Sequence, residues 1–396
     1  MARNSYTETT RKGFGKRLTD SIGAAVIGGL MFIAAFPALW WNEGRAIGEY
    51  RALKEGAGAV VHVAAAPVGA GNEGKLVHVS ALVEGAPELV DDDLDVSVDG
   101  LALRRVVEMY QWQETRDSKE RKTLGGGSET VTEYKYETEW NDDPIDSSDF
   151  RYSDEHANPT EWPLSSATFE AEKTTVGAFV LSDATRAAVG EWRDLDAAKA
   201  LRFPDAYEQF RGIGSGRLFS GADPEVPEVG DMRIRYEYQP EETFSIVARQ
   251  DGETLDTYTA SNGRSVLLVE PGEMAAAAMF DGAQKRNTMI TWAVRAGGMI
   301  AMWIGLAMVF APISRVLDIL PMLGTIGSWG IGLVTGLISL VLSVLTIAVS
   351  WVFYRPVLGV TLILAVLAAF LWLRGRKPAP PSMPPAMMPP PPPPPL

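Results

Sequence analysis

Three histidines, His62, His78 and His156, are the first side chains to weigh for chemistry, because an imidazole moves protons near neutral pH and ligates metals. Their spacing supports neither role. His62 and His78 fall in expected strands, His156 in a turn-rich loop, and no metal-ligand spacing links them. Asp91-Asp92-Asp93 with Asp95 superficially resembles a calcium loop. The glycine at the sixth place and the closing glutamate of such loops are missing, so a solvated acidic face is expected. Gly212, Gly214 and Gly216 form G-x-G-x-G without the strand–turn–helix setting of a phosphate loop. There is no G-x-S-x-G elbow, and the absence of cysteine excludes thiol chemistry and thiolate-bound metals. Asp and Glu number 50 in 396 residues, so a carboxylate-pair hydrolase stays open, although spacing says nothing about pairing in space. No catalytic, cofactor-binding or metal-ligating residue is assigned, and no cofactor is expected.

The elements that would position any site are set by four apolar runs, at residues 21–41, 289–313, 331–353 and 357–373. Each is close to the roughly 20 residues that a helix needs to cross a hydrocarbon core. The expected fold class is a multi-pass α-helical membrane protein, with four spans in a one-plus-three layout and a large β-dominated α+β extramembrane domain at 42–288. Residues 1–20 carry a net +3 and the chain from Arg286 onward +6, so a chain of net −14 concentrates −23 in the stretch between. Lys and Arg beside spans favour the cytoplasm. Residues 1–20 and the tail 374–396, with Arg374, Arg376 and Lys377, are therefore placed inside. The acidic domain is placed outside the cytoplasm, periplasmic in a bacterium and luminal in a eukaryote. An acidic domain repels phosphate backbones, which argues against a nucleic-acid partner. The first run lacks an A-x-A cleavage site and exits through Trp40-Trp41, so it reads as an uncleaved signal anchor.

Within 42–288 the pattern is mainly that of strands. Residues 76–83 form one candidate. In 103–115, Arg105, Val107, Met109 and Gln111 share one face, and Val106, Glu108, Tyr110 and Trp112 the other. Residues 130–140 make a second long strand, and the charged, glycine-bearing stretch 116–128 is expected to be the hairpin loop between them. A strand is expected at 168–181, a helix at 183–201, and strands at 232–238, 243–249 and 265–269, with Asp251-Gly252 and Asn262-Gly263 as turns. An Ala-rich helix is expected from Glu273 into the second span. The tail is proline-rich and expected to be an extended spacer.

Inside the spans, Ala293, Gly297, Ala301 and Gly305 recur every fourth residue, and Gly332 and Gly336 repeat that spacing in the third. Small residues so spaced let a second helix backbone approach closely, within the chain or between copies. Both readings stay open. Arg295 is the ionised residue inside a span; it lies about two turns from the outer end, where snorkelling to the headgroups accounts for it. Arg355 with Pro356 forms the outer turn between the last two spans. No span shows a polar stripe, so a wide aqueous pore within one chain is not expected.

Several segments carry a resemblance: Asn-Glu-Gly-Arg-Ala (42–46), Asn-Glu-Gly-Lys-Leu-Val-His (72–78), Leu-Arg-Arg-Val-Val-Glu-Met-Tyr-Gln-Trp (103–112), Tyr-Lys-Tyr-Glu-Thr-Glu-Trp (134–140), Pro-Glu-Val-Gly-Asp (227–231), Val-Ala-Arg-Gln (247–250) and Trp-Val-Phe-Tyr-Arg-Pro (351–356). Together with Thr291-Trp292 to Met308, the chain resembles the transmembrane protein 43 (LUMA) family, colinearly over about residues 12–375. The polyproline tail and the lack of cysteine depart from that pattern, and the Ala/Gly-rich composition suits a bacterial member. The resemblance implies four spans and a membrane organiser with no catalytic residues. It also implies that eukaryotic members sit in the inner nuclear and endoplasmic reticulum membranes, self-associate and engage lamins and emerin.

The functional expectation is a non-enzymatic scaffold that forms a homo-oligomer through its spans and organises other membrane or envelope proteins through its extracytoplasmic domain. The bilayer is its medium: a bacterial inner membrane, or the inner nuclear or endoplasmic reticulum membrane of a eukaryote. Glu108, Tyr110, Trp112, Arg295 and Arg355 are the interaction candidates. An oligomeric channel or transport component near Arg295, and a membrane-tethered hydrolase, are the alternatives.

Overall fold

The computed structural model describes residues 4–123, 127–195, 210–213, 216–317 and 321–355, with three isolated positions beyond them. A strand, β1 (Ser5–Lys12), precedes the first helix, α1 (Phe14–Ala59). The helix continues well past Trp41 because the residues that follow are strong helix formers, among them Glu43, Arg45, Ala46, Ala52 and Leu53. The body follows as β2 (Val61–His62), β3 (Leu76–Ala86), β4 (Leu89–Asp91), β5 (Val96–Val98), β6 (Ala102–Lys122), β7 (Ser128–Asn141), β8 (Ala167–Glu170), β9 (Lys173–Val176), β10 (Phe179–Leu181), the short helix α2 (Asp183–Arg186) and β11 (Arg193–Leu195). It is completed by β12 (Arg211–Ile213), β13 (Arg217–Ser220), β14 (Met232–Gln239), β15 (Thr243–Asp251), β16 (Thr254–Asp256), β17 (Tyr258–Thr259), β18 (Ser265–Val266) and β19 (Leu268–Pro271). The chain then returns to helix as α3 (Ala276–Val309), α4 (Ala311–Leu317) and α5 (Pro321–Tyr354).

Two sheets make the body. One runs β1-β7-β6-β14-β13-β12, with β8 also on β6 and β11 on β14. In the other, β3 pairs with β15, β15 with β16, β16 with β10, β10 with β9 and β9 with β3, so the ladder closes into a five-stranded barrel. Closure leaves these strands no free edge for another chain to extend. Val77, Val79, Val83, Val176, Phe179, Ile246 and Leu255 fill its core. A third apolar cluster ties the barrel to the helices, with Leu76 and Val247 against Ala52 and Leu53 of α1 and Met279 and Phe280 of α3.

The two-residue alternation in β6 holds: Arg105, Val107, Met109 and Gln111 are all buried. The hairpin differs from the expectation. Arg116–Lys122 is strand rather than loop, paired residue for residue with Ser128–Tyr134. Cross-strand contacts hold these polar positions, among them Ser118 Oγ to Thr132 Oγ1 at 3.0 Å and the Arg116 guanidinium 5.8 Å over the Tyr134 ring. Among the described residues of the helix expected at 183–201, Asp183–Arg186 is helical; Gly190, at φ +93°, breaks the pattern, and residues 196–209 lie outside the described residues. The single strand expected at 168–181 is three short ones, β8 to β10. The strands at 232–238 and 243–249 are found, and the turns expected at Gly252 and Gly263 have the left-handed φ of 61° and 77°.

Residues 1–20, expected as a basic tail across the membrane from the body, include a strand that pairs with the body's ribbon. All of β1 is paired antiparallel with β7, from Ser5 opposite Lys135 to Lys12 opposite Ser128. Tyr6 stacks on Tyr152 with ring centroids 3.9 Å apart, and Glu8 accepts from Arg151 Nε at 2.8 Å. At the ribbon's tip, Arg17 donates to Gly127 O at 3.2 Å and lies 3.5 Å from Glu120. The polar ribbon therefore accompanies α1 from one end to the other. No bilayer fits between hydrogen-bonded strands, so this pairing and a single crossing by α1 exclude each other. In this cysteine-free chain a Thr9→Cys/Val131→Cys pair is expected to form an intramolecular disulfide, because facing Cα atoms in an antiparallel ladder lie about 4.5–5.5 Å apart. Thr10→Cys is expected to label with an impermeant maleimide from the same side as Asn262→Cys in the body. Labelling from opposite sides would show that β1 leaves the ribbon in the membrane.

Three of the described helices are long and apolar enough to cross a membrane: α1, α3 and the 330–354 part of α5. The expected fourth span, 357–373, and the polyproline tail fall outside the described residues apart from isolated positions. Helices α1 and α3 pack antiparallel, with Ala35, Leu39 and Met302 buried between them and Leu342 of α5 against that cluster.

Candidate functional site

The densest polar convergence in the helices lies where they meet the body. Asn287, Thr291 and Arg295 follow one another at four-residue steps on α3 and so share a face. That face meets Asn42, Glu43 and Arg45 of α1. Asn42 Nδ2 donates to Thr291 O at 3.2 Å, and Asn287 Nδ2 donates to Ala46 O at 3.0 Å. Arg45 donates to Asn287 Oδ1 at 3.1 Å and to Asn42 Oδ1 and Thr291 Oγ1 at 3.2 Å each. One turn deeper, Arg295 grips both oxygens of Glu43, Nε to Oε1 at 2.7 Å and Nη2 to Oε2 at 2.8 Å. Trp351 of α5 adds its indole N–H to Glu43 Oε2 at 2.7 Å. The Arg295 guanidinium also sits 4.8 Å over Trp292 and 5.5 Å over Trp351. Gly44 lets α5 close in: a Cβ there would lie 2.7 Å from the Tyr354 ring.

Arg295 therefore does not snorkel. Its side chain is 12% exposed and its partner Glu43 2% exposed, a bidentate ion pair between helices. Sequence reasoning singled out the arginine and missed the glutamate. The available signal was that an ionised residue in a span demands a partner, and Glu43 is the first carboxylate after the first span.

The small-residue series divides. Gly305 packs within the chain, since a Cβ there would lie 2.7 Å from Gly28 O, and Gly336 lies under the Trp303 indole. Ala293 and Gly297 face outward, and a Cβ on Gly297 or Gly332 would meet nothing within 4 Å. Four residues advance a helix by a full turn plus about 40°, so three steps swing the series by about 120°, from the outer face to the inner one. The residue that seats Leu39 is Gly298, next to the series. A polar stripe does exist, contrary to expectation: Thr335, Ser339, Ser343 and Ser350 of α5 are buried at steps of four, four and seven residues, which keep them on one face. Thr335, Ser343 and Ser350 donate to carbonyls of the preceding turn, of Ile331, Leu340 and Thr346, and so serve packing rather than an aqueous path.

In the body, the acidic run is a clamp and not wholly a solvated face. Asp91 is buried and accepts from Arg105 Nη1 at 2.7 Å on both oxygens and from Tyr236 OH at 2.6 Å, while Asp93 takes Arg105 Nη2 at 2.8 Å. Burial, then the hydrogen bond to Asp91, holds the Tyr236 phenol far above its ordinary range, so it remains a donor. These carboxylates converge on an arginine and not in an open cleft. Among the described residues no group of three or more His, Asp or Glu is placed to hold a metal.

His62 and His78 face each other across the β2–β3 pair, with Nδ1 atoms 2.8 Å apart, and His78 Nε2 lies 2.9 Å from Met274 O. Burial pulls the His78 imidazole below its ordinary range, with His62 adding to the effect. It therefore donates through Nε2 to the carbonyl and accepts from His62. His156 is buried, stacked on Tyr136 at 3.8 Å and met edge-on by Trp112 at 4.8 Å. The other interaction candidates also have partners within the chain. Glu108 accepts from Arg233 at 2.5 and 3.1 Å, Tyr110 accepts from Thr138 Oγ1 at 2.8 Å, and Arg355 lies 5.6 Å over Trp351.

The family model described as transmembrane protein 43 matches residues 109–356. The chain is similar to mouse transmembrane protein 43, 31% identical over 384 residues that cover 94% of this chain and 95% of the relative. It is likewise 31% identical to the human protein over 401 residues, 96% of this chain and 99% of the relative. The fruit-fly homolog is 29% identical over 356 residues, 88% and 93% of the two chains. No solved structure matches.

Proposed function

This chain belongs to the transmembrane protein 43 family, and we propose that it works as a non-enzymatic membrane scaffold that self-associates through its helices and organises other membrane or envelope proteins. The observation that carries this reading is the outward face of α3. Ala293 and Gly297 lie there with open space above Gly297, flanked by exposed Met289, Trp292 and Ile300. A small-residue groove between large apolar side chains fits the helix of a second copy. The polar groups of the bundle head are engaged with one another, which suits a fixed frame better than turnover. Arg374, Arg376 and Lys377, which follow the last apolar run, support placing the acidic body outside the cytoplasm, periplasmic when the membrane is a bacterial inner membrane.

Gly297→Cys in native membranes is expected to give a disulfide-linked dimer on oxidation, and Gly297→Leu to lower the oligomer fraction severalfold in chemical crosslinking. A monodisperse monomer at membrane-like concentration, with no crosslinked neighbour, would sink the scaffold reading.

A further inference from the structure

We propose that the cleft at the body end of the helices binds an anionic phosphate group, as presented by a phospholipid headgroup. The cleft has a volume of about 260 Å³ and lies among α1, α3 and α5. Trp292, Trp351 and Tyr50 line it, the side chains that settle at a membrane–water boundary. Its charges do not balance. Glu43 is the carboxylate on its wall, and Arg295 and the Trp351 indole occupy both its oxygens. Arg355, also on the wall, makes no ion pair among the described residues and faces the Trp351 ring. Behind the wall, Arg45 donates only to neutral acceptors among the described residues and its buried Nε has no hydrogen-bond partner.

Arg355 on the wall and Arg45 behind it thus lack a carboxylate, in a chain whose net charge is −14. A partly desolvated cation without a counter-charge is costly, and a phosphate offers the geometry that guanidinium groups grip. Basic pockets between membrane helices bind anionic headgroups for this reason.

The full chain, purified in neutral detergent, is titrated with phosphatidylglycerol, phosphatidylcholine or inorganic phosphate, with bound lipid read by native mass spectrometry. Phosphatidylglycerol is expected to be retained over phosphatidylcholine, and Arg355→Gln to weaken it about tenfold, the loss of one charge-assisted bond. Displacement by millimolar inorganic phosphate would identify the phosphate alone as what is read; failure to displace would assign a share to the glycerol and chains. Either result supports the site. Equal retention of the two lipids by the unaltered chain, or unchanged phosphatidylglycerol binding in a folded Arg355→Gln, would overturn it. Should that variant unfold, the comparison of lipids on the unaltered chain decides alone.

Discussion

Arg105→Ala is expected to destabilise the body by about 3–5 kcal/mol, because it strands a buried carboxylate that no water can solvate. Asp91 is fully buried, and Arg105 supplies two of its four hydrogen bonds, the others coming from Tyr236 OH and the Asp93 backbone N–H, while also anchoring Asp93 and donating through Nε to Ser165 O at 3.1 Å. One side chain thus pins β4, the following turn and the loop before β8 onto β6. Urea unfolding followed by tryptophan fluorescence measures the loss. The triple variant Arg105→Met/Asp91→Leu/Tyr236→Phe removes the charges together with the phenol that would otherwise lose its acceptor, so it is expected to be less damaged than Arg105→Ala alone. A single-variant loss below about 1 kcal/mol, the range of an exposed pair, would show that the clamp is solvated.

Glu43→Ala is expected to be comparably severe for the helices, again about 3–5 kcal/mol, since it leaves Arg295 uncompensated beside apolar side chains. Arg295→Ala leaves Glu43 buried with only the Trp351 indole as donor. The informative measurement is the double-mutant cycle, read from denaturant-induced loss of a crosslink between α1 and α3. The double variant is expected to lose less than the sum of the single variants by about 0.5–3 kcal/mol, which is the signature of residues in contact. Strict additivity would mean that the pair is not formed when the helices are in lipid. Because Glu43 also holds Trp351, either single variant is expected to shift the indole emission and loosen α5.

Much of the body was legible because strand periodicity is local. The alternation of Arg105, Val107, Met109 and Gln111 with Val106, Glu108, Tyr110 and Trp112 needs nothing beyond the pleat, and it places the buried face correctly. The turn glycines at 252 and 263 were readable for the same reason: only a left-handed backbone demands them. The β1 strand was missed because its charge and its position before an apolar run were read as topology. The signal present was Tyr6, Thr7, Thr9 and Thr10, residue types that favour a pleated surface. Small residues every fourth place were read as one face, yet a 3.6-residue helix rotates that series from lipid to neighbour within three steps.

By itself the sequence determined the class of this protein: a membrane chain with helices long and apolar enough to cross, a β-rich acidic body, and the family to which its motifs point. These follow from composition and from periods of two and 3.6 residues, which act over a few neighbours. Tertiary structure alone decided which polar groups meet. The pairing of Glu43 with Arg295, of Asp91 with Arg105, of β1 with the ribbon and the closure of the barrel all join residues far apart in the chain. Their partnership depends on how helices and strands are laid beside one another, and one sequence carries no record of that.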